Sequence, residues 1–158
     1  MTRLLDRLSR AFALGGGAVL VALTGMSVAS VAGRALLGTP VAGDFELVQL
    51  GCAAAIAAFL PYCQRQRGNI IVDFFTTRAS PRTQSVLDAF GAVMVALVMA
   101  ILAWRTALGM LTVKASHEVS MIVGFPVWIG YAAIVPSLVL ATLVALATAR
   151  ESWKAARG

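Results

Sequence analysis

Residues 11–33 read AFALGGGAVLVALTGMSVASVAG, without one charged side chain. At 1.5 Å per residue a helix of that length reaches roughly 34 Å, more than the hydrocarbon core of a bilayer. Three further stretches, 45–63, 86–104 and 127–149, are strongly apolar and of comparable length, with only Glu46 and Asp88 charged, each near the start of its stretch. Within lipid a chain must satisfy its backbone polar groups internally, and a chain of apolar runs this long does so as helices. The expected fold is therefore an all-α integral membrane protein with four transmembrane helices, residues 1–158 forming a single membrane domain. Composition agrees. Charged residues make up 13% of the chain, where soluble domains carry roughly 25%.

The connections set the orientation. Residues 1–10, the 64–85 connection and residues 150–158 carry three, four and three Lys and Arg, whereas the 34–44 turn has one and the 105–118 stretch has two. Ten basic residues against three put both termini and the 64–85 connection in the cytoplasm by the positive-inside rule, so the protein reads as N-in/C-in. The stretch QRQRGNIIVDFF, residues 64–75, is a short basic interfacial connection between helices 2 and 3: Arg65 and Arg67, a turn at Gly68 and Asn69, then apolar residues around Asp73. A net charge of +6 would suggest nucleic acid in a soluble protein. Here the basic residues gather at the ends of apolar runs, so the partner they imply is membrane lipid, with no nucleic acid.

Local signals place the helix ends. Ser27-Val28-Ala29 resembles a leader-peptidase site, but the apolar run is longer than the roughly 7–15 residues of a secretory signal, so the first span is expected to stay in place. Asp44 is positioned to cap the second helix, and Glu46 adds negative charge to its first turn. Ser80-Pro81 is a helix start, with proline where its missing N–H does no harm. The third helix continues from there through 86–104 and towards Val113. Trp104, Trp128 and Tyr131 fall near one membrane surface, Tyr62 and Trp153 near the other. Small residues at four-residue spacing mark faces where helix backbones approach closely: Gly25, Ala29 and Gly33; Ala92, Ala96 and Ala100; and Ala133, Ser137, Ala141, Ala145 and Ala149. The last stripe could meet a partner subunit or pack inside this chain's own bundle.

Residues that carry chemistry are sparse. No charge lies near the middle of any span. Asp88, two turns into the third helix, sits within reach of the interface and is either hydrated there or in contact with a partner. His117-Glu118 has no further ligand, so no metal is expected, and one histidine offers no nucleophile–base pair. Cys52 and Cys63 lie on one helix roughly 16 Å apart, where a disulfide needs Cα atoms within about 7 Å. Catalysis is not expected, and neither is a cofactor in this chain. Two further membrane classes are weighed. A self-sufficient small four-helix exporter would carry an acid in its first span, and a quinone-linked membrane redox protein would carry paired cysteines. Neither feature is present in the sequence.

The order of several elements resembles the small membrane subunit of the TRAP (tripartite ATP-independent periplasmic) transporters, the four-helix dicarboxylate-type small permease family. Arg34 ends the first span, followed by Gly38, Pro40, Gly43 and the acid-led Glu46-Leu47. The Arg65–Asp73 loop is similar to the family's basic-Gly-His-hydrophobic-Val-Asp pattern. Pro126, Trp128, Tyr131 and Pro136 follow its Pro-x-Trp-x-x-Tyr-x-x-x-x-Pro. Asn69 stands where the family has histidine, so no titratable role is carried to it, and Ser137 stands where glycine is common. The resemblance implies a sodium-coupled organic-acid importer of the bacterial inner membrane. Its large elevator subunit, a separate chain, would bind substrate and sodium, and a periplasmic solute-binding protein would deliver the substrate. The small subunit would act as scaffold and as part of the docking surface. Candidate subunit or docking contacts are Arg34, Glu46, Arg65, Arg67, Asn69, Asp73, Asp88, Trp128, Ala133, Ser137, Ala141 and Ala145.

Overall fold

A computed structural model of the chain describes residues 2–66 and 81–157. They form four helices, α1 (Thr2–Leu37), α2 (Asp44–Arg65), α3 (Pro81–Ala115) and α4 (Trp128–Arg157), and each is long and apolar enough to cross a membrane. Helix α1 absorbs the basic lead-in because nothing in MTRLLDRLSR breaks a helix. It stops before Gly38, whose φ of 69° leaves the helical region. Helix α3 opens at Pro81 as expected and runs through Arg105 to Ala115. Helices α2 and α4 each contain an internal proline, Pro61 and Pro136, tolerated in spans where neighbouring groups re-satisfy the freed carbonyl. The start of α2 differs from expectation. Gly43, not Asp44, is its N-cap. Asp44 lies in the first turn, where one carboxylate oxygen accepts the Phe45 N–H at 2.8 Å.

Helices α2 and α4 occupy the middle of the packing. Helix α3 packs against α4 alone, α1 packs mainly against α2 with a smaller contact to α4, and α1 and α3 do not touch among the described residues. The buried positions are mostly alanine: Ala55 and Ala57 on α2, Ala89, Ala92, Ala96 and Ala103 on α3, Ala141, Ala145 and Ala149 on α4. Large apolar side chains such as Leu14, Val21, Phe90, Leu97 and Leu143 point outwards. Small inside and large outside is the arrangement lipid favours, because tails solvate leucine as well as a core does and only close backbone approach rewards association.

On α1 and α3 the close-packed faces recur every seven residues rather than every four, whereas on α4 the four-residue series Ser137, Ala141, Ala145 and Ala149 stays buried. On α1 the inward positions are Ser9, Gly16, Leu23 and Ser30: three are buried, and Leu23 lies over Gly51, where a Cβ would come within 2.7 Å of it. Gly16 faces Ala55 and Ala58, and a Cβ there would meet the Ala55 carbonyl at 3.0 Å. On α3 the series is Ala89, Ala96 and Ala103. Four residues overshoot a helical turn by about 40°, whereas seven fall short of two turns by about 20°. On α1 and α3 a four-residue stripe therefore leaves the seam. Gly25 and Ala29 are exposed and Gly33 half-buried; Ala92 and Ala96 are buried but Ala100 is exposed.

Candidate functional site

Polar contacts between helices gather at the two ends of the bundle. At the end bearing both termini, Arg65 in the last turn of α2 is the centre. Its Nε donates to Asp6 of α1, and its Nη1 donates to Glu151 Oε2 of α4 at 3.0 Å. The planar guanidinium suits this because its donors point in fixed, divergent directions and serve two carboxylates at once. Three helices converge there, with Ser9, Gln64 and Ser152 all buried. Beside the triad lies an open pocket of about 470 Å³ lined by Asp6, Arg10, Tyr62, Arg65, Gln66 and Glu151.

At the opposite end the short turn and the long connection are tied together. Ser30 Oγ donates to Asp44 Oδ2 and accepts the Val41 N–H at 3.2 Å, which folds the 38–43 turn over the end of α1. The Glu46 carboxylate accepts the Ile122 N–H at 3.1 Å and the Val123 N–H at 3.3 Å. Residues 118–127 form a narrow loop, closed by Ser120 N–H to the Phe125 carbonyl at 2.9 Å and Val127 N–H to the Glu118 carbonyl at 3.2 Å. Val123 seats directly over Gly43, which has a φ of 73°, and a Cβ on Gly43 would overlap Val123 Cγ2. Next to this loop, Lys114 lies 5.0 Å over the Trp128 ring. Anchored in this way, the loop presents Val119, Met121 and Ile122 outwards, Met121 almost completely exposed.

The candidate residues thus divide. Glu46 and Arg65 each join helices or loops far apart in sequence. Arg34 is exposed in the last turn of α1, where its charge bears on Asp44. Trp128 is half-buried against Lys114. Asp88 is half-buried and already has a partner. On α4, Ala133 is exposed, but Ser137, Ala141 and Ala145 are at most 1% accessible within this chain's own bundle. Those three are covered before any partner arrives, because α4 is flanked by both α2 and α3. Arg67, Asn69 and Asp73 lie outside the described residues. Sequence reasoning missed Asp6, Ser30, Glu151 and the Ile122 and Val123 amides. Asp6 and Glu151 are the acids in the two basic terminal segments, a signal that each has a cationic partner, but nothing in the sequence says which. Among the described residues no group of three or more His, Cys, Asp or Glu could hold a metal.

Four long apolar spans and a small-residue interior define a multi-pass membrane protein. A family model described as "Tripartite ATP-independent periplasmic transporters, DctQ component" matches residues 23–155. The chain belongs to this family, the small subunit of TRAP transporters, and is a multi-pass protein of the inner membrane. The family is a transporter component and not a known enzyme class. Searches of curated proteins and of solved structures gave no match.

Proposed function

We propose that this chain is the scaffold subunit of a sodium-coupled organic-acid importer, seated beside a large elevator subunit and forming part of the docking surface for a periplasmic solute-binding protein. The observation that carries this reading is where the charge lies. Between residues 11 and 33, 47 and 64, 89 and 104, and 115 and 149, the only charged side chain is Glu118, in the connection before α4. A transporter that moved an organic anion and sodium through its own centre would need polar or ionisable groups there. Sodium and substrate therefore belong to the partner chain, and no cofactor is assigned to this one. The outward-facing apolar sides of α1 and α3 suit lipid or a neighbouring membrane subunit. The anchored 118–127 loop, on the periplasmic side by the ten-to-three basic bias, suits docking.

Reconstitution tests the assignment. Proteoliposomes holding large subunit, this chain and the binding protein should take up organic acid down a sodium gradient, and those holding this chain alone should not. Uptake by the chain alone would overturn the scaffold role. Orientation has its own test in a background lacking Cys52 and Cys63. An impermeant thiol reagent should label Ser116→Cys and Ala155→Cys from opposite faces, with Ala155→Cys reached only from the cytoplasm.

A further inference from the structure

The pocket beside Arg65 is not used by any part of the transport reading. Two arginines and two acids face it, so its ionised groups sum to zero. They are not mutually satisfied. Arg65 takes one oxygen from each acid, Asp6 Oδ1 and Glu151 Oε2, leaving the second oxygen of each carboxylate available. Arg10 has no ion pair among the described residues. Tyr62 Oη accepts from Gln66 Nε2 at 2.9 Å, so its own O–H is free to donate. The pocket thus offers spare acceptors on one pair of side chains and spare donors on another.

Its position specifies the ligand further. Arg10 is the last charged residue before the first apolar run, and Tyr62 lies in the last turns of α2. Both lie at the polar end of an apolar run, the position at which interfacial tyrosine and cytoplasmic-side arginine are enriched. Leu14 and Val21, four and eleven residues beyond Arg10, share its face of α1 and are 76% and 74% exposed. An apolar track therefore leads from the pocket into the membrane. The volume of about 470 Å³ is within the range of small-molecule sites.

We infer that this pocket binds the headgroup of a zwitterionic phospholipid bearing a primary ammonium, phosphatidylethanolamine in chemical class. The ammonium donates to the free oxygens of Asp6 and Glu151, Arg10 and the Tyr62 hydroxyl hold the phosphate, and the acyl chains lie along Leu14 and Val21. A choline headgroup has no N–H to give the carboxylates. A glycerol headgroup has no cation and brings net negative charge to a pocket lined by two acids. The lipid fastens the same three helix ends that Arg65 joins, and its binding does not depend on the identity of any transport partner.

Native mass spectrometry of the full chain, purified in mild detergent and offered phosphatidylethanolamine, phosphatidylcholine or phosphatidylglycerol at equal concentration, tests this. The wild type should retain phosphatidylethanolamine over both others. Arg10→Ala should lower that retention by roughly tenfold or more, the loss expected for a charge-assisted hydrogen bond. Arg10→Lys should keep most of it, and Arg3→Ala, outside the pocket, should keep all of it. Equal retention of the three lipids, a preference for phosphatidylglycerol, or no change in Arg10→Ala would overturn the assignment. Displacement of the lipid by soluble phosphoethanolamine at matched concentration would overturn the lipid as occupant and make the pocket a site for a free zwitterion.

Discussion

Arg65 Nη1 meets Glu151 Oε2 at 3.0 Å across 86 residues of chain, and the same guanidinium also holds Asp6, 59 residues away in the other direction. One side chain thereby joins the first turns of α1, the end of α2 and the end of α4. The contact lies beside buried small residues at this end, Ser9 on α1 and Ala149, Ser152 and Ala156 on α4. Loop connections run only between consecutive helices, so nothing covalent brings α1 to α4. Arg65 supplies that link.

Arg65→Gln should therefore destabilise the chain by about 1–2 kcal/mol. That is above an exposed pair, because two acids would be left facing each other, and below a fully buried one, because all three groups keep some solvent access. Arg65→Lys should fall between, as an ammonium has no fork with which to serve both carboxylates. Thermal unfolding in detergent at low and high salt measures both. The wild type should lose stability with salt, and Arg65→Gln should lose little. An unchanged unfolding midpoint for Arg65→Gln would show that the triad contributes nothing.

The carboxylate of Glu46 should control how tightly the 118–127 loop is held. Removing it in Glu46→Ala takes away the acceptor for two backbone amides, and hydrogen exchange at Ile122 and Val123 should quicken by roughly tenfold, the equivalent of one charge-assisted bond. Glu46→Gln keeps one acceptor oxygen and should show a smaller rise. Exchange along the middle of α4 should not change, which separates local release of the loop from loss of the whole fold.

Where the spans would fall could be read from the sequence, because a run such as 11–33 has one physical solution in lipid. The reach of the helices was less legible. Residues 2–10 join α1 although they are too polar to lie in hydrocarbon, and Arg105 sits inside α3; hydropathy marks the membrane core, while the helix continues until a Gly38 or the 116–118 turn stops it. Faces were harder still. With alanine at so many positions, small-residue spacing does not by itself pick out the buried face of α3, and only the partner helix decides that Ala103 is inside and Ala100 outside. The ties at the ends were the least legible. Glu46 reads as a first-turn acid favouring its own helix dipole, and nothing local reveals that its oxygens hold amides 76 and 77 residues further on.

Gly43 should be intolerant of any side chain for two separable reasons. Its φ of 73° disfavours L-residues, and a Cβ would run into Val123. Gly43→Ala should cost about 1–3 kcal/mol. Adding Val123→Ala removes the overlap but not the backbone strain, so the double variant should recover part of the loss and not all of it. A double-mutant cycle on unfolding midpoints reads this directly. Strict additivity would show that the Gly43–Val123 contact does not limit the turn.

Helix α4 supplies the last test. Ala141 is 1% accessible and Ala145 wholly enclosed, with the neighbouring Val144 equally buried, so this face is filled by the chain's own α2 and α3. Leucine at position 141 adds three heavy atoms where helix backbones already approach closely, and overpacking of that kind costs typically about 1–3 kcal/mol. Ala141→Leu should therefore lower the yield and unfolding midpoint of the chain purified by itself. Any loss of co-purification with a large subunit should follow from that. Leu143 points outwards at 49% accessibility; Leu143→Ala removes little internal packing and should leave the midpoint of the isolated chain within about 0.5 kcal/mol of wild type. The exposed Ala133 gives the contrast. Ala133→Leu should leave the isolated chain stable, so a co-purification defect confined to that variant would mark the start of α4 as a partner contact. An Ala141→Leu chain as stable as wild type, yet unable to co-purify, would show that residue 141 faces the partner and not the bundle interior.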